Sequence, residues 1–124
     1  MKKSLIFLMF YLSLGTSSWA QVYVNGKDIN QQSNLVYIEL ILDNRAFQRQ
    51  PFAIIDYGQL IRPPFQDDRV TTAQGEPIRF NGEMAIFNFL YKNGWQHEIT
   101  YSKETYAFHI FKRRIIGTEV DFGQ

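Results

Sequence analysis

Residues 81–113 read NGEMAIFNFLYKNGWQHEITYSKETYAFHIFKR, and their pattern decides the fold: a capped helix that runs into a β-hairpin. Asn81 has the short side-chain carbonyl that accepts a backbone N–H at a helix start, and Glu83 just inside suits the positive end of the helix dipole. The helix is therefore expected to begin near Gly82. Asn93-Gly94 should end it, because glycine takes the left-handed conformation that follows a helix C-cap. Trp95 then falls two places beyond the cap, where it can pack back on Leu90 and tie the helix exit to the next strand. Between the caps Met84, Phe87, Leu90 and Tyr91 share one stripe at helical spacing, widened by Ile86 and Phe89. An aromatic stripe of this kind is core packing rather than a cofactor pocket.

Two strand-like runs follow, Trp95 to Tyr101 and Tyr106 to Arg113, with polar Ser102 to Thr105 between them at a length that suits a hairpin loop. Placing Tyr101 opposite Tyr106 sets Ile99 opposite Phe108, His97 opposite Ile110 and Trp95 opposite Lys112. That register gathers most large apolar side chains on one surface and leaves Gln96, Glu98, Thr100, Ala107, His109, Phe111 and Arg113 on the other. A slip by one residue would divide the apolar set between the surfaces, which a strand with one buried face resists.

Working outward, Met1 to Ala20 reads as a secretory signal. Lys2 and Lys3 precede the apolar run Leu5 to Leu14, and small residues stand at Ser18 and Ala20, the positions that a signal peptidase inspects. The apolar run is short of the roughly 20 residues that a membrane-crossing helix needs. The expected organisation is thus a signal over residues 1–20, one domain over 21–114 and a tail over 115–124, where two glycines and weak periodicity argue against a further strand. The expected location is the periplasm or the medium.

The chain has 13 basic and 12 acidic residues; without Lys2 and Lys3 the basic count is 11, so the exported part has a formal charge of −1. That balance lacks the concentrated positive field of a nucleic-acid-binding protein, and Lys112-Arg113-Arg114 is more simply a solvated strand end or edge guard. Cysteine is absent, so folding proceeds without disulfides and no lipidated N-terminal cysteine forms. A domain of this length approaches the lower limit at which an apolar core suffices alone, and the 11 Phe and 7 Tyr help to supply buried area.

Further strands are expected at Val22 to Val24, closed by the turn Asn25-Gly26, and at Leu35 to Leu42, whose apolar side chains on both sides suit a central strand. Lys27 to Asn34 reads as loop. A partner strand from Phe52 to Tyr57 pairs antiparallel with the central one. Pro63-Pro64 excludes regular pairing and marks an exposed loop, and Arg69 to Thr72 with Glu76 to Phe80 suggests a smaller hairpin around Gln74-Gly75. The sum is an α+β domain: an antiparallel sheet of about five strands, with one helix on one face, inserted before the C-terminal hairpin.

Few residues offer chemistry. His97 and His109 are the two histidines, so a metal site would need both or strong carboxylate help, and the expected register sends them to opposite surfaces. The same register sets His109 opposite Glu98, which reads as a cross-strand surface pair before an acid/base couple. Asp56 stands at a strand end where charges reach water, with Arg62 near in sequence as a counter-charge. Asp67-Asp68 lacks the regularly spaced oxygen ligands of a calcium loop and reads as a turn. No GxSxG, HExxH, P-loop or dinucleotide fingerprint occurs. No residue is therefore assigned to catalysis, metal binding or a cofactor.

The runs MAIFNFLYKNGWQ (84–96) and FHIFKRR (108–114), with VYVNGKDIN (22–30), IDYGQ (55–59) and IRFNG (78–82), resemble small uncharacterised exported proteins of Bacteroidetes-type bacteria. The resemblance spans most of the expected domain and rests on structural motifs. It implies the helix, the Gly-Trp step and the final hairpin, and it implies no activity and no catalytic residue. The leading functional expectation is an exported, non-enzymatic domain that binds a protein partner or a small ligand, through the Pro63-Pro64 loop or an open sheet edge. The competing one is a small acid/base enzyme or hydrolase that uses Asp56, Glu98 or His109.

Overall fold

A computed structural model describes residues 20–43 and 50–114. The expected signal, apart from Ala20, and the expected tail lie outside the described residues. The class is α+β, as expected, but the sheet is not one: among the described residues there are two antiparallel sheets, of three and four strands. The strands are β1 (Tyr23–Val24), β2 (Lys27–Asp28), β3 (Tyr37–Asp43), β4 (Ile54–Asp56), β5 (Val70–Thr71), β6 (Trp95–Lys103) and β7 (Tyr106–Arg113), and helix α1 (Glu83–Lys92) precedes β6.

The three-stranded sheet has the order β2-β1-β5. Asn25 and Gly26 take φ of 50° and 79°, the left-handed pair that lets a two-residue turn close a hairpin. The turn forms as expected, whereas Lys27 to Asn34, expected as loop, opens with a strand and a 3-10 turn. Lys27 and Asp28 pair back on β1, and Ile29 begins a 3-10 turn (Ile29–Gln31) that buries its side chain completely. Asp28 caps that turn by accepting from the Asn30 N–H at 3.0 Å, the role that short acids fill at helix starts. The suspected hairpin around Gln74-Gly75 also forms: Thr72 N–H donates to Glu76 O at 2.8 Å and Ile78 N–H to Val70 O at 3.0 Å.

The four-stranded sheet has the order β4-β3-β7-β6, so the apolar run in β3 is central, as its composition required. Ile38, Leu40 and Leu42 of β3 meet Ile55 of β4, Phe111 of β7, Ile86 and Leu90 of α1, and Trp95 in one buried cluster. Each fully buried aliphatic or aromatic side chain there stabilises the fold by roughly 1.5–3 kcal/mol. Helix α1 ends as expected, with Asn93 at its C-cap and Gly94 at φ 92°. It also starts near Gly82 as expected, but Gly82 itself holds the N-cap position and no side chain caps it, so Asn81 does not play the expected part. The buried stripe is also rotated. Ile86 and Leu90 are fully buried, whereas Met84 and Tyr91 are 61% and 55% exposed. Phe87 and Phe89 flank the buried pair because each has a partner ring, Phe111 at 5.3 Å and Phe80 at 5.3 Å respectively.

The hairpin itself carries the main correction. Lys103 pairs with Tyr106, so the turn is the two residues Glu104-Thr105, with Glu104 at φ 57°. Tyr101 then faces Phe108, Thr100 faces His109 and Ile99 faces Ile110. Between Ile99 and His97 the register shifts at a β-bulge, leaving Glu98 as the extra residue; beyond it His97 faces Phe111 and Trp95 faces Arg113. One inserted residue reverses which side chains point to which surface. Trp95 and His97 therefore share the helix side with Thr100, His109 and Phe111, while Ile99, Tyr101, Phe108 and Ile110 point away from it. A uniform alternation along the whole strand could not show this.

Trp95 is fully buried, as expected, and its Nε1–H donates to Asn30 Oδ1 at 2.8 Å. The basic run after it is not a solvated end. The Arg113 guanidinium lies over the Trp95 ring at 5.0 Å and donates to Asn30 O at 3.1 Å and Gln32 O at 3.0 Å. Arg114 donates to Tyr91 O, one of the open carbonyls at the end of α1, and stacks on the Tyr91 ring at 4.0 Å. The two arginines thus clamp the 3-10 turn and the helix end onto the hairpin, and Lys112 alone of the three is exposed.

Candidate functional site

The four-stranded sheet has two faces with different fates. The helix and the three-stranded sheet cover the side that carries Ile38, Leu40, Ile55 and Phe111. The other side presents Tyr37, Glu39 and Ile41 of β3, Ile54 and Asp56 of β4, Ile99 and Tyr101 of β6, and Phe108 and Ile110 of β7, as their register requires. No described helix or strand lies over this face. Tyr37, Ile99 and Tyr101 are 55%, 52% and 41% exposed, and Tyr101 stacks on Phe108 at 5.0 Å with 13° between the ring planes. Ile41 is buried on this face and Ile54, Phe108 and Ile110 are half-buried, so its exposed large apolar side chains are Tyr37, Ile99 and Tyr101, a grouping that makes the face a candidate interaction surface.

Two carboxylates stand on the same face, toward its β4 edge. Glu39 and Asp56 stand directly opposite each other on β3 and β4, an arrangement in which like charges repel. Tyr101 Oη–H donates to Glu39 Oε2 at 2.7 Å, and Gly58 N–H donates to Asp56 Oδ1 at 2.9 Å. Neither carboxylate has a cationic partner among the described residues. Their shared field is felt by Tyr101, whose phenol is pushed up first by its hydrogen bond to Glu39, with charge from both Glu39 and Asp56 contributing. Lys112 projects from the same face but lies over the Tyr37 ring at 5.9 Å. Arg62, named as a counter-charge for Asp56, is exposed and makes no ion pair with it among the described residues.

Phe65, from the loop containing Pro63-Pro64, meets Tyr106 edge-on at 5.9 Å and so borders the open face at one end. The two prolines are exposed, as expected. Asp67-Asp68 forms a 3-10 turn (Gln66–Asp68), and Asp68 is a buried structural residue whose Oδ1 accepts from Gln59 Nε2 at 3.0 Å. Of the two edges of this sheet, β4 is bridged by Arg69 on its outer side, whereas among the described residues β6 is flanked by no strand other than β7.

The histidines are placed against expectation. They stand on one surface, not two: His97 and His109 ring centroids are 5.9 Å apart, and both rings pack on Phe87 of α1. The bulge at Glu98 brings them together. Glu98 does not face His109; Thr100 does, and the carboxylate near His109 is Glu83, whose Oε1 lies 3.2 Å from Nε2. His109 is 4% exposed, and burial, partly offset by Glu83, holds its pKa below the ordinary 6.5. Asp56, Glu98 and His109 do not converge, since Asp56 projects from the face opposite to His109. No group of three metal-ligating side chains occurs among the described residues. Thr100 and Glu83 were the members of this cluster that sequence reasoning missed. The Thr-His pairing depends on the two-residue turn and Glu83 arrives from another element, so spacing along the chain held no signal for either. Comparison with protein families, with curated proteins and with solved structures found no match to this chain.

Proposed function

We propose that the chain is exported and works as a partner-binding domain, with the open face of the four-stranded sheet as its binding surface. The observation that carries the reading is the exposure of Tyr37, Ile99 and Tyr101 on one sheet face that also carries the carboxylates Glu39 and Asp56, which have no cationic partner among the described residues. The partner of matching chemistry is a polypeptide segment that places a lysine or arginine among apolar side chains. Its cation meets Glu39 and Asp56 and relieves their repulsion, and its apolar groups cover Ile99, Tyr101 and Ile110. Tyrosine suits such a role because it buries a large rigid surface while keeping a polar tip. Export is supported by the charged start, apolar run and small residues of Met1 to Ala20.

The test is a displayed library of random peptides selected on the immobilised protein, with an Ile99→Ser/Tyr101→Ser variant as counter-selection. The reading expects enriched sequences that carry a basic residue flanked by apolar ones, and loss of their binding in the variant and in Glu39→Gln/Asp56→Asn. Enrichment of acidic or uniformly polar sequences, or binding that the variants retain, overturns it.

A further inference from the structure

The helix side of the same sheet holds a second cluster that the binding reading does not use. Thr100 Oγ1 lies 2.7 Å from His109 Nδ1 and 2.7 Å from His97 Nε2. Counting donors assigns the protons. With Glu83 Oε1 3.2 Å from His109 Nε2, the His109 proton belongs on Nε2, which leaves Nδ1 as an acceptor. The Thr100 hydroxyl then donates to Nδ1, and its own lone pair accepts from His97 Nε2–H. The result is a directed series, His97 to Thr100 to His109, ending beside a carboxylate.

Stability alone gives no reason for this arrangement. A buried histidine on a core-facing surface costs desolvation that a phenylalanine or leucine would avoid. His109 Nε2 is buried yet meets no well-directed hydrogen-bond acceptor, because the Glu83 carboxylate sits close to it but off the N–H axis. Such a carboxylate gains most when the ring becomes charged, which is what a base does when it takes a proton. Thr100 itself is an exposed residue of β6. A hydroxyl within hydrogen-bond reach of an imidazole that a third group orients is the general signature of an activated nucleophile.

We propose that Thr100 is a nucleophile for acyl transfer from small carboxylic esters, with His109 as its base, Glu83 as the residue that orients the base, and His97 as a positioning donor. Thr100 Oγ1 bonds to the ester carbonyl carbon while its proton passes to His109 Nδ1. Collapse of the tetrahedral adduct breaks the bond to the alcohol oxygen, which leaves with the proton held by His109. Water then loses a proton to the same nitrogen, attacks the acyl-threonine and releases the carboxylic acid, and the proton returns to Thr100. Ester plus water gives acid plus alcohol, and nothing else is consumed.

The experiment treats the full-length protein with p-nitrophenyl acetate, follows nitrophenolate release, and maps acetylation by peptide mass spectrometry. The proposal expects an acetyl group on Thr100, its loss in Thr100→Val, its retention in Thr100→Ser, and a rate lowered about a hundredfold in His109→Gln, as for loss of a general base. The rate should rise with pH through a midpoint below 6.5, because burial lowers the His109 pKa. Glu83 is half exposed at the helix start, so Glu83→Gln preserves the fold and provides a check if His109→Gln unfolds; it should slow acetylation severalfold and shift the pH midpoint. Acetyl groups confined to lysines, or a rate unchanged in Thr100→Val, overturn the proposal. Both readouts concern the helix side of the sheet, so they succeed or fail independently of peptide binding on the open face.

Discussion

Replacing Trp95 with alanine tests the packing that joins the helix, the hairpin and the first sheet. The indole is fully buried, and its Nε1–H reaches Asn30 Oδ1 at 2.8 Å. Truncation of a buried Trp or Phe to alanine costs about 3–5 kcal/mol in transfer and cavity terms. Loss of the Nε1–H removes a hydrogen bond worth about 1 kcal/mol net, and the Arg113 guanidinium loses the ring beneath it. A total of roughly 4–6 kcal/mol follows from these terms. A domain of about a hundred residues has a stability of about 5–15 kcal/mol, so Trp95→Ala stands near the threshold of folding. Trp95→Phe, which keeps most of the volume and removes the N–H, should cost about 1–3 kcal/mol and remain measurable. Urea denaturation followed by far-UV circular dichroism gives both values, since a shift in midpoint at constant slope reports stability alone. A cost below about 1 kcal/mol for Trp95→Ala would refute the reasoning, because it would mean that the indole lies outside the core.

Deletion of Glu98 removes the extra residue, makes the His97–Phe111 and Ile99–Ile110 pairs consecutive and leaves Trp95 and His97 on the helix side, so the variant should keep a cooperative unfolding transition with shielded Trp95 fluorescence; loss of the transition or exposure of Trp95 would contradict the register. Arg113→Ala removes the hydrogen bonds to Asn30 O and Gln32 O and should cost about 2–3 kcal/mol in the same denaturation assay, with Arg113→Lys intermediate because lysine keeps the charge without the planar fork. Burial holds His109 below its ordinary pKa, so the unfolded chain takes up a proton more readily than the folded one. The contribution of His109 to stability is then complete above about pH 6.5 and is lost as pH falls; a stability profile between pH 7 and 5 should slope less in His109→Gln than in the unaltered protein.

The sequence made one level of this structure readable and hid the next. Gly94, with its left-handed requirement, announced the helix end; Asn25-Gly26 announced a hairpin turn; and the unbroken apolar run of β3 announced a central strand. Each is a local signal in which backbone sterics or burial leaves few alternatives. Face assignment was different. Glu98 looks like any polar residue in an alternating strand, and only pairing with β7 shows that it is the extra one. Placing Ile99 and Tyr101 toward the helix followed from the assumption of unbroken alternation, and the same assumption separated His97 from His109. The clamps made by Arg113 and Arg114 were hidden for a related reason: a charged run carries no mark of the carbonyls it will meet. The open face and the Thr100 cluster both descend from that single bulge.

Hydroxyl-radical footprinting with mass spectrometry, done on the free protein and again with an enriched peptide bound, tests the central claim most directly. The account predicts rapid oxidation of Tyr37 and Tyr101, slow oxidation of Trp95 and Phe111, and protection of Tyr101 when the peptide binds. Oxidation of Trp95 as fast as that of Tyr101, or peptide binding that leaves Tyr101 as reactive as before, would contradict it.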